Sequence, residues 1–335
     1  MKITWINPAP IVGMDDDRTS DRACVRLRSM LPGDELRRRG HDVEQVFFHE
    51  LPERLRDPLF LQRDVFVFGK AFTDFSPLIH DLHSRSCAKV LIDICDNVFA
   101  PPEDGLKTFY SSMMPLADAI VTSSDLLTAA LQNRLNPDVR IFSIPDAVEG
   151  LRVAPEFAPR SGSIQLLWFG YPNNLPLLQN EFKNLGKLTD NAEVNLTVVT
   201  AWQNQTAPSP AIIDGIRLRY RRWSPQVMKY ALKACDIVVI PSDDGSAQVT
   251  KSANRVITAI WAGKFVSAYP LPSYQVFKPF AHIDRDLAAG IRRALENQDA
   301  VRERVAAGQQ YIQENFAIQT VTDAWERALE RIIKG

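Results

Sequence analysis

The feature that most restricts this chain is a rhythm. Short apolar runs, rich in β-branched and aromatic residues, alternate with helical stretches, and the pattern is played twice. Parallel strands covered by helices on both faces read as such runs, and each return to a parallel neighbour needs a crossover, usually a helix. Residues 3–6, 43–48, 65–68, 90–94, 119–122 and 140–144 read as strands of a first half. Helical patterns fill the gaps at 22–39, closed by Gly40, and at 125–135, opened by Ser123 or Ser124 as N-cap. Strands recur at 165–169, 194–200, 216–220, 236–240 and 264–267, with helices at 175–188, 225–234 and 252–262; the tail from 284 to 333 is helical.

Between the halves, Pro145, Pro155, Pro159 and Gly162 break the rhythm, so 145–163 reads as a linker. A chain of 335 residues has room for two domains. The expected fold class is therefore α/β: two Rossmann-like domains facing across a cleft. Residues 1–150 form the first, 151–316 the second, and 317–335 a terminal helix. Such sheets take ligands at the carboxyl ends of their strands.

Composition removes several function classes. Lysine and arginine total 39 against 40 acids, which argues against a protein that coats nucleic acid. No apolar run approaches the roughly 20 residues that span a bilayer, and MKITWINPAP enters a strand without a signal-peptide core. Cys24, Cys87, Cys95 and Cys235 are scattered, with no CxxC pair. Reduced thiols in a cytoplasmic protein, without disulfide or zinc, are the expectation. The dinucleotide fingerprint GxGxxG follows neither 3–6 nor 165–169, which counts against a dehydrogenase.

The most informative passage is DIVVIPSDDGSAQVTKSANRVITAIWAGKFVSAYPLPSY, residues 236–274. A helix starting near Lys251 and Ser252 would offer free backbone N–H groups and its dipole to a diphosphate. Lys251 adds a point charge, Arg255 a forked donor and Asn254 a polar amide. An isolated Lys251/Arg255 pair would otherwise be an ordinary solvated i,i+4 face. The Pro-Ser exit before it and the Ala-Gly-strand exit after it favour function.

With those flanks, the passage resembles the donor-binding region of GT-B glycosyltransferases. The likeness is to the group 1, family 4-like enzymes of bacterial surface-glycan synthesis, strongest over 89–146 and 164–274. It implies a GT-B fold whose last helix crosses back to the first domain; Val321, Trp325, Leu329 and Ile332 share one face of that helix. It implies transfer of a sugar from a nucleotide-sugar donor to a hydroxyl on a glycan, lipid-linked or other acceptor, with a lean toward retention. The nucleotide-sugar is a substrate rather than a cofactor, and no metal is expected. Membrane association would be peripheral at most, at the inner face.

The resemblance also places residues. Asp96, Lys251 and Arg255 become the catalytic candidates, with Asp96 otherwise a turn or cap residue. Gly170, Asn173, Trp223, Ser224, Asp243, Asp244, Ser252 and Asn254 become donor contacts. Asn173 also fits a helix cap, Ser224 an N-cap before Pro225, and Trp223 a helix staple. Asn97, Ser123 and Arg26 fall on the acceptor side, Arg26 and Arg28 forming an RxR feature that could meet phosphate or water. Asp15-Asp16-Asp17 reads as a solvated loop rather than a metal site. Arg217, Arg219, Arg221 and Arg222 read as a solvated strand face, with phosphate or membrane contact as the alternative. One departure stands out: where many retaining members carry two glutamates, this chain has Thr250 and Thr258. Two rivals stay open, a sugar-nucleotide epimerase or hydrolase on the same fold, and a non-catalytic glycosyltransferase-like nucleotide-binding subunit.

Overall fold

Alternation within each strand builds the first sheet. The computed structural model describes residues 1–335 except 15–16, 101–104, 135–138 and 203–206. Strands β1 (Lys2–Asn7), β2 (Asp42–Phe47), β3 (Val65–Phe68), β4 (Lys89–Ile94), β5 (Ala119–Thr122) and β6 (Arg140–Ser143) form a parallel sheet ordered β2-β1-β3-β4-β5-β6. Helices α1 (Ala23–Val25), α2 (Leu31–Arg38), α3 (Leu51–Arg54), α4 (Ser76–Arg85), α5 (Leu106–Met113) and α6 (Asp125–Gln132) connect them. The Asp15-Asp16 part of the acidic run, and the expected end of α6 at Leu135, lie outside the described residues.

Phe66, Phe68, Val90 and Ile92 pack one face of this sheet with Ile79 and Tyr110. Trp5, Val65, Val67 and Leu91 pack the other, against Val321, Trp325, Leu329 and Ile332 of the C-terminal helix Ile318–Ile333. Trp5 and Trp325 meet edge to face, with centroids 5.3 Å apart. This first unit comprises Met1–Glu149, Val249–Ser252 and Glu314–Gly335.

The single helix expected over 22–39 is interrupted. Between α1 and α2 the chain makes a π turn, Arg26–Met30. Pro32 has no amide N–H to give the Arg28 carbonyl, which accounts for the widened turn.

In the second unit, Gly150–Gln248 and Ala253–Gln313, β7 (Ser163–Phe169), β8 (Glu193–Thr200), β9 (Ala211–Ile213), β10 (Ile216–Arg222), β11 (Ile237–Ile240), β12 (Phe265–Ala268) and β13 (His282–Ile283) form a sheet ordered β13-β12-β11-β7-β8-β10-β9. All pairs are parallel except β9 with β10. The helices are α7 (Leu175–Asn180), α8 (Phe182–Gly186), α9 (Pro225–Ala234), α10 (Ser246–Val249), α11 (Asn254–Trp261), α12 (Leu287–Glu296) and α13 (Gln298–Asn315).

Strands β9 and β13 fall outside the sequence reading, being too short to show a period. The β9–β10 turn nevertheless carries a signal: Asp214 and Gly215 have φ of 49° and 78°, as a two-residue hairpin with Asp-Gly requires. Helix α11 begins at Asn254, not at Ser252, so Lys251 and Ser252 precede it. Its end, Trp261, is followed after the Ala262 cap by Gly263, φ 76°, where an added Cβ would sit 2.6 Å from the Ala154 carbonyl oxygen. Among the described residues no helix is long and apolar enough to cross a membrane.

Candidate functional site

Strand order locates the candidate sites. In each unit the first strand has its sequential neighbour on one side and a later strand on the other, and the crevice above that switch point is where doubly wound sheets take ligands. In the first unit the switch lies between β1 and β3, and in the second between β7 and β11.

Above the first switch, β1 ends in Asn7, which is 2% exposed. Both its amide atoms are buried without a hydrogen-bond partner among the described residues. Just past β3, Lys70 forms an ion pair and hydrogen bond with Asp96, which follows β4. Burial alone would raise the Asp96 carboxyl, but Lys70 hydrogen-bonds it and, with Lys251, holds it below the ordinary carboxylate range. The Tyr110 hydroxyl, fully buried, accepts from the Ala71 amide at 2.9 Å and fixes the loop that carries Lys70.

Behind this rim lies a buried ion cluster. Arg28, 1% exposed, grips Asp93 through Nε and Nη2 at 2.7–2.9 Å, and reaches the Ile144 carbonyl at 2.8 Å and Asp146 at 3.1 Å through Nη1. Burial opposes the guanidinium charge, and the two carboxylates outweigh it, pushing its pKa further up. The other oxygen of Asp146 accepts the Ser252 hydroxyl at 2.6 Å. Arg28 thus positions a carboxylate that in turn holds the residue after Lys251.

The remaining first-unit candidates are engaged locally. Arg26 donates to Glu149 and to the Ser20 carbonyl. Asn97 accepts from the Phe99 amide. Ser123 is 2% exposed and donates to the Cys95 carbonyl, while Ser124 caps α6.

The second switch point differs. Here β7 runs out at Gly170, where an added Cβ would lie 3.6 Å from Arg255 Nη1. That nitrogen is buried and has no hydrogen-bond partner among the described residues. Asn254 opens α11 and Arg255 follows it. The β7 and β11 loops are joined through Gln248, which donates to Asn174 at 3.4 Å and accepts from Ser242 at 3.5 Å.

Around this centre the other candidates divide. Asn173 is exposed, and neither it nor Asn174 caps α7 through its side chain. Ser224 caps α9, accepting from the Val227 amide, and the Trp223 amide donates to the Thr200 carbonyl. Asp243 accepts from the Gly245 amide. Asp244 is held by Arg285 at 2.5 Å, which keeps its carboxyl below the usual range.

The structure therefore gathers Asp96, Lys251 and Ser252 in the first unit, and Gly170, Asn254 and Arg255 in the second. Sequence reasoning missed Asn7, Lys70 and Asp146. The first two stand immediately beyond strands that the apolar pattern had identified, a place worth scanning in any parallel sheet. Asp146 sat within a presumed linker and gave no such signal.

Neither the protein-family models nor the curated proteins give a match to the sequence. Solved structures do. A glycosyltransferase of Rickettsia africae is 13% identical over 100% of this chain and 99% of that one, with a TM-score of 0.70. Anabaena Alr3699/HepE in complex with UDP-glucose is 10% identical over 99% and 100%, TM-score 0.66. Sucrose-phosphate synthase of Thermosynechococcus elongatus is 12% identical over 99% of both chains, TM-score 0.65. What the chain shares with these proteins is the GT-B fold.

Proposed function

We propose that the chain is a glycosyltransferase that moves a sugar from a nucleotide-sugar to an acceptor hydroxyl, with retention, in the assembly of a polysaccharide or glycoconjugate. The observation that carries this reading is the unpartnered Arg255 Nη1 beside Gly170, at the carboxyl ends of the second sheet. A buried donor left unsatisfied costs roughly 1–3 kcal/mol. An anion arriving there would recover that cost. The diphosphate of a sugar nucleotide suits the place: Gly170 leaves its backbone bare, and the start of α11 adds an N-terminal dipole. UDP-glucose is the ligand of HepE, which has the same fold.

Chemically, sugar departure leaves negative charge on the diphosphate, and fixed positive charge lowers that barrier. The reading gives this task to Arg255 and Lys251, in place of a metal ion. Asp96, kept ionised by Lys70, is assigned to a sugar hydroxyl. Asn97, Ser123 and Arg26 become supports of that rim rather than acceptor contacts, because each is spent on a local partner. Thr250 and Thr258 favour one rival, a nucleotide-binding subunit without transferase activity.

Calorimetric titration with UDP-, GDP-, ADP-, CMP- and dTDP-sugars tests the reading. One of them should bind, and Lys251→Ala with Arg255→Ala should abolish that binding without unfolding the chain. Unchanged affinity in the double variant would refute the site. Donor turnover with and without acceptor then separates transferase, hydrolase and inert subunit.

A further inference from the structure

The second unit has a cavity that the proposed transfer does not use. Phe265 opens β12 and pairs with Ile237, the first residue of β11, so it marks the amino ends of these parallel strands. Gly170 and the proposed donor site lie past the opposite, carboxyl ends. A cavity of about 460 Å³ lies beside Phe265, between the loop into β13 and the helices α12 and α13. Arg304 of α13, half-buried, lines it. Its Nε donates to the Pro279 carbonyl at 2.9 Å, and its Nη2 to those of Lys278 and Ala281 at 3.1 and 2.7 Å. Its Cζ lies 5.5 Å from the centre of the Phe265 ring. These contacts fix the guanidinium and the loop that carries Lys278, and Nη1 makes no hydrogen bond among the described residues.

Ion pairing sorts the cations of this region. Arg285, Arg292 and Arg302 are each matched by a carboxylate, of Asp244, Asp286 and Asp299. Lys278, Arg293 and Arg304, which line the cavity, have no carboxylate partner among the described residues. Burial draws the Arg304 pKa down, and no acid offsets it. The single acid on the described wall, Asp284, accepts the Asp286 amide at 3.3 Å. His282 spends its Nε2 on the Asp286 carbonyl at 2.9 Å. Three cations thus face one carboxylate around the cavity.

We propose that this cavity binds a phosphate monoester with a compact, partly apolar body, at a site separate from the one proposed for the nucleotide-sugar. Arg293 and Arg304 bring forked donors and Lys278 a point charge, the set that phosphate oxygens accept from. The bound phosphate supplies the counter-charge that Arg304 lacks. Phe265 and Val301 give the body of the ester an apolar wall. The volume falls within the roughly 300–1,000 Å³ of small-molecule sites.

Calorimetric titration of the full chain with phenyl phosphate and with inorganic phosphate tests the site, whether or not the chain transfers sugar. Three proteins are compared: wild type, Lys278→Ala with Arg293→Ala, and Lys251→Ala with Arg255→Ala. Lys278 and Arg293 are exposed, so a thermal melt should show that their removal leaves the fold intact. Phenyl phosphate should bind wild type more tightly than inorganic phosphate does. Its affinity should fall by about 10-fold or more in the Lys278/Arg293 variant, the value of about one charge-assisted hydrogen bond, and hold in the Lys251/Arg255 variant. Loss in the Lys251/Arg255 variant, no loss in the Lys278/Arg293 variant, or no binding to wild type overturns the proposal. Inorganic phosphate binding as tightly as the ester overturns it too, since the apolar wall would then do nothing. Ester binding that depends on Lys278 and Arg293, in a chain that binds no nucleotide-sugar, would sustain this site while the donor reading alone fell.

Discussion

The two sheets have related topologies, yet the arginines nearest their switch points, Arg28 and Arg255, are treated in opposite ways. In the first unit, Arg28 is enclosed by Asp93, Asp146 and a carbonyl, and Arg26 is shared between Glu149 and Ser20. In the second, Arg255 keeps one buried nitrogen without a partner among the described residues. A charge whose every donor is matched by the protein has finished its work on folding. One with a donor left over holds back interaction energy for something that arrives later. Arg63 Nε in the first unit is likewise buried without a partner among the described residues, so the leftover donor of Arg255 counts toward a site because it lies beside Gly170 at the strand ends.

The largest test removes the scaffold charge. Arg28→Met keeps much of the volume but strands two buried carboxylates, and breaking a buried pair this way costs about 3–5 kcal/mol. Denaturant titration should show that loss. A variant within about 1 kcal/mol of wild type would mean that Arg28 is not the structural partner its geometry makes it.

Arg255→Met sharpens the other side. It deletes an unsatisfied buried donor, so stability should hold or rise, by at most the roughly 1–3 kcal/mol that such a group costs. Affinity for a nucleotide-sugar should fall by 10-fold or more, the value of about one charge-assisted hydrogen bond. A stability loss matching that of Arg28→Met would erase the distinction between the two arginines.

This contrast explains what the sequence could disclose. Strand positions such as Val65–Phe68 and Ala119–Thr122 were legible because burial on both faces forces an unbroken apolar run. The C-terminal stripe of Val321, Trp325, Leu329 and Ile332 was legible by the helical period. The partners of charged groups were not. Arg26 and Arg28 look alike in sequence, and only the fold shows that Asp93, 65 residues away, takes one of them. Lys70 was invisible for the same reason, since its meaning comes from Asp96 across the sheet. The start of α11 was not legible either: Ser252, expected within the helix, precedes it, and its hydroxyl is spent on Asp146, far away in sequence. Short-range pattern reports burial; long-range pairing leaves no period to read.

The smallest effect is expected at the rim, where Lys70 and Asp96 are paired but partly solvated. The folded Asp96 pKa is depressed, so its stabilising contribution is present above the unfolded value of about 3.9 and is lost as pH falls through the lower folded value. The Asp96 side chain keeps 41% of its exposure, and solvent screening limits the contribution to about 1 kcal/mol or less. Denaturation midpoints of wild type and Asp96→Asn, followed from pH 7 downward, should therefore differ slightly at neutral pH and converge in acid. A gap that persists unchanged below pH 3 would show that Asp96 acts through shape rather than charge. Asp96 would then belong with the fully matched groups of the scaffold, leaving Arg255 as the charge held for the ligand.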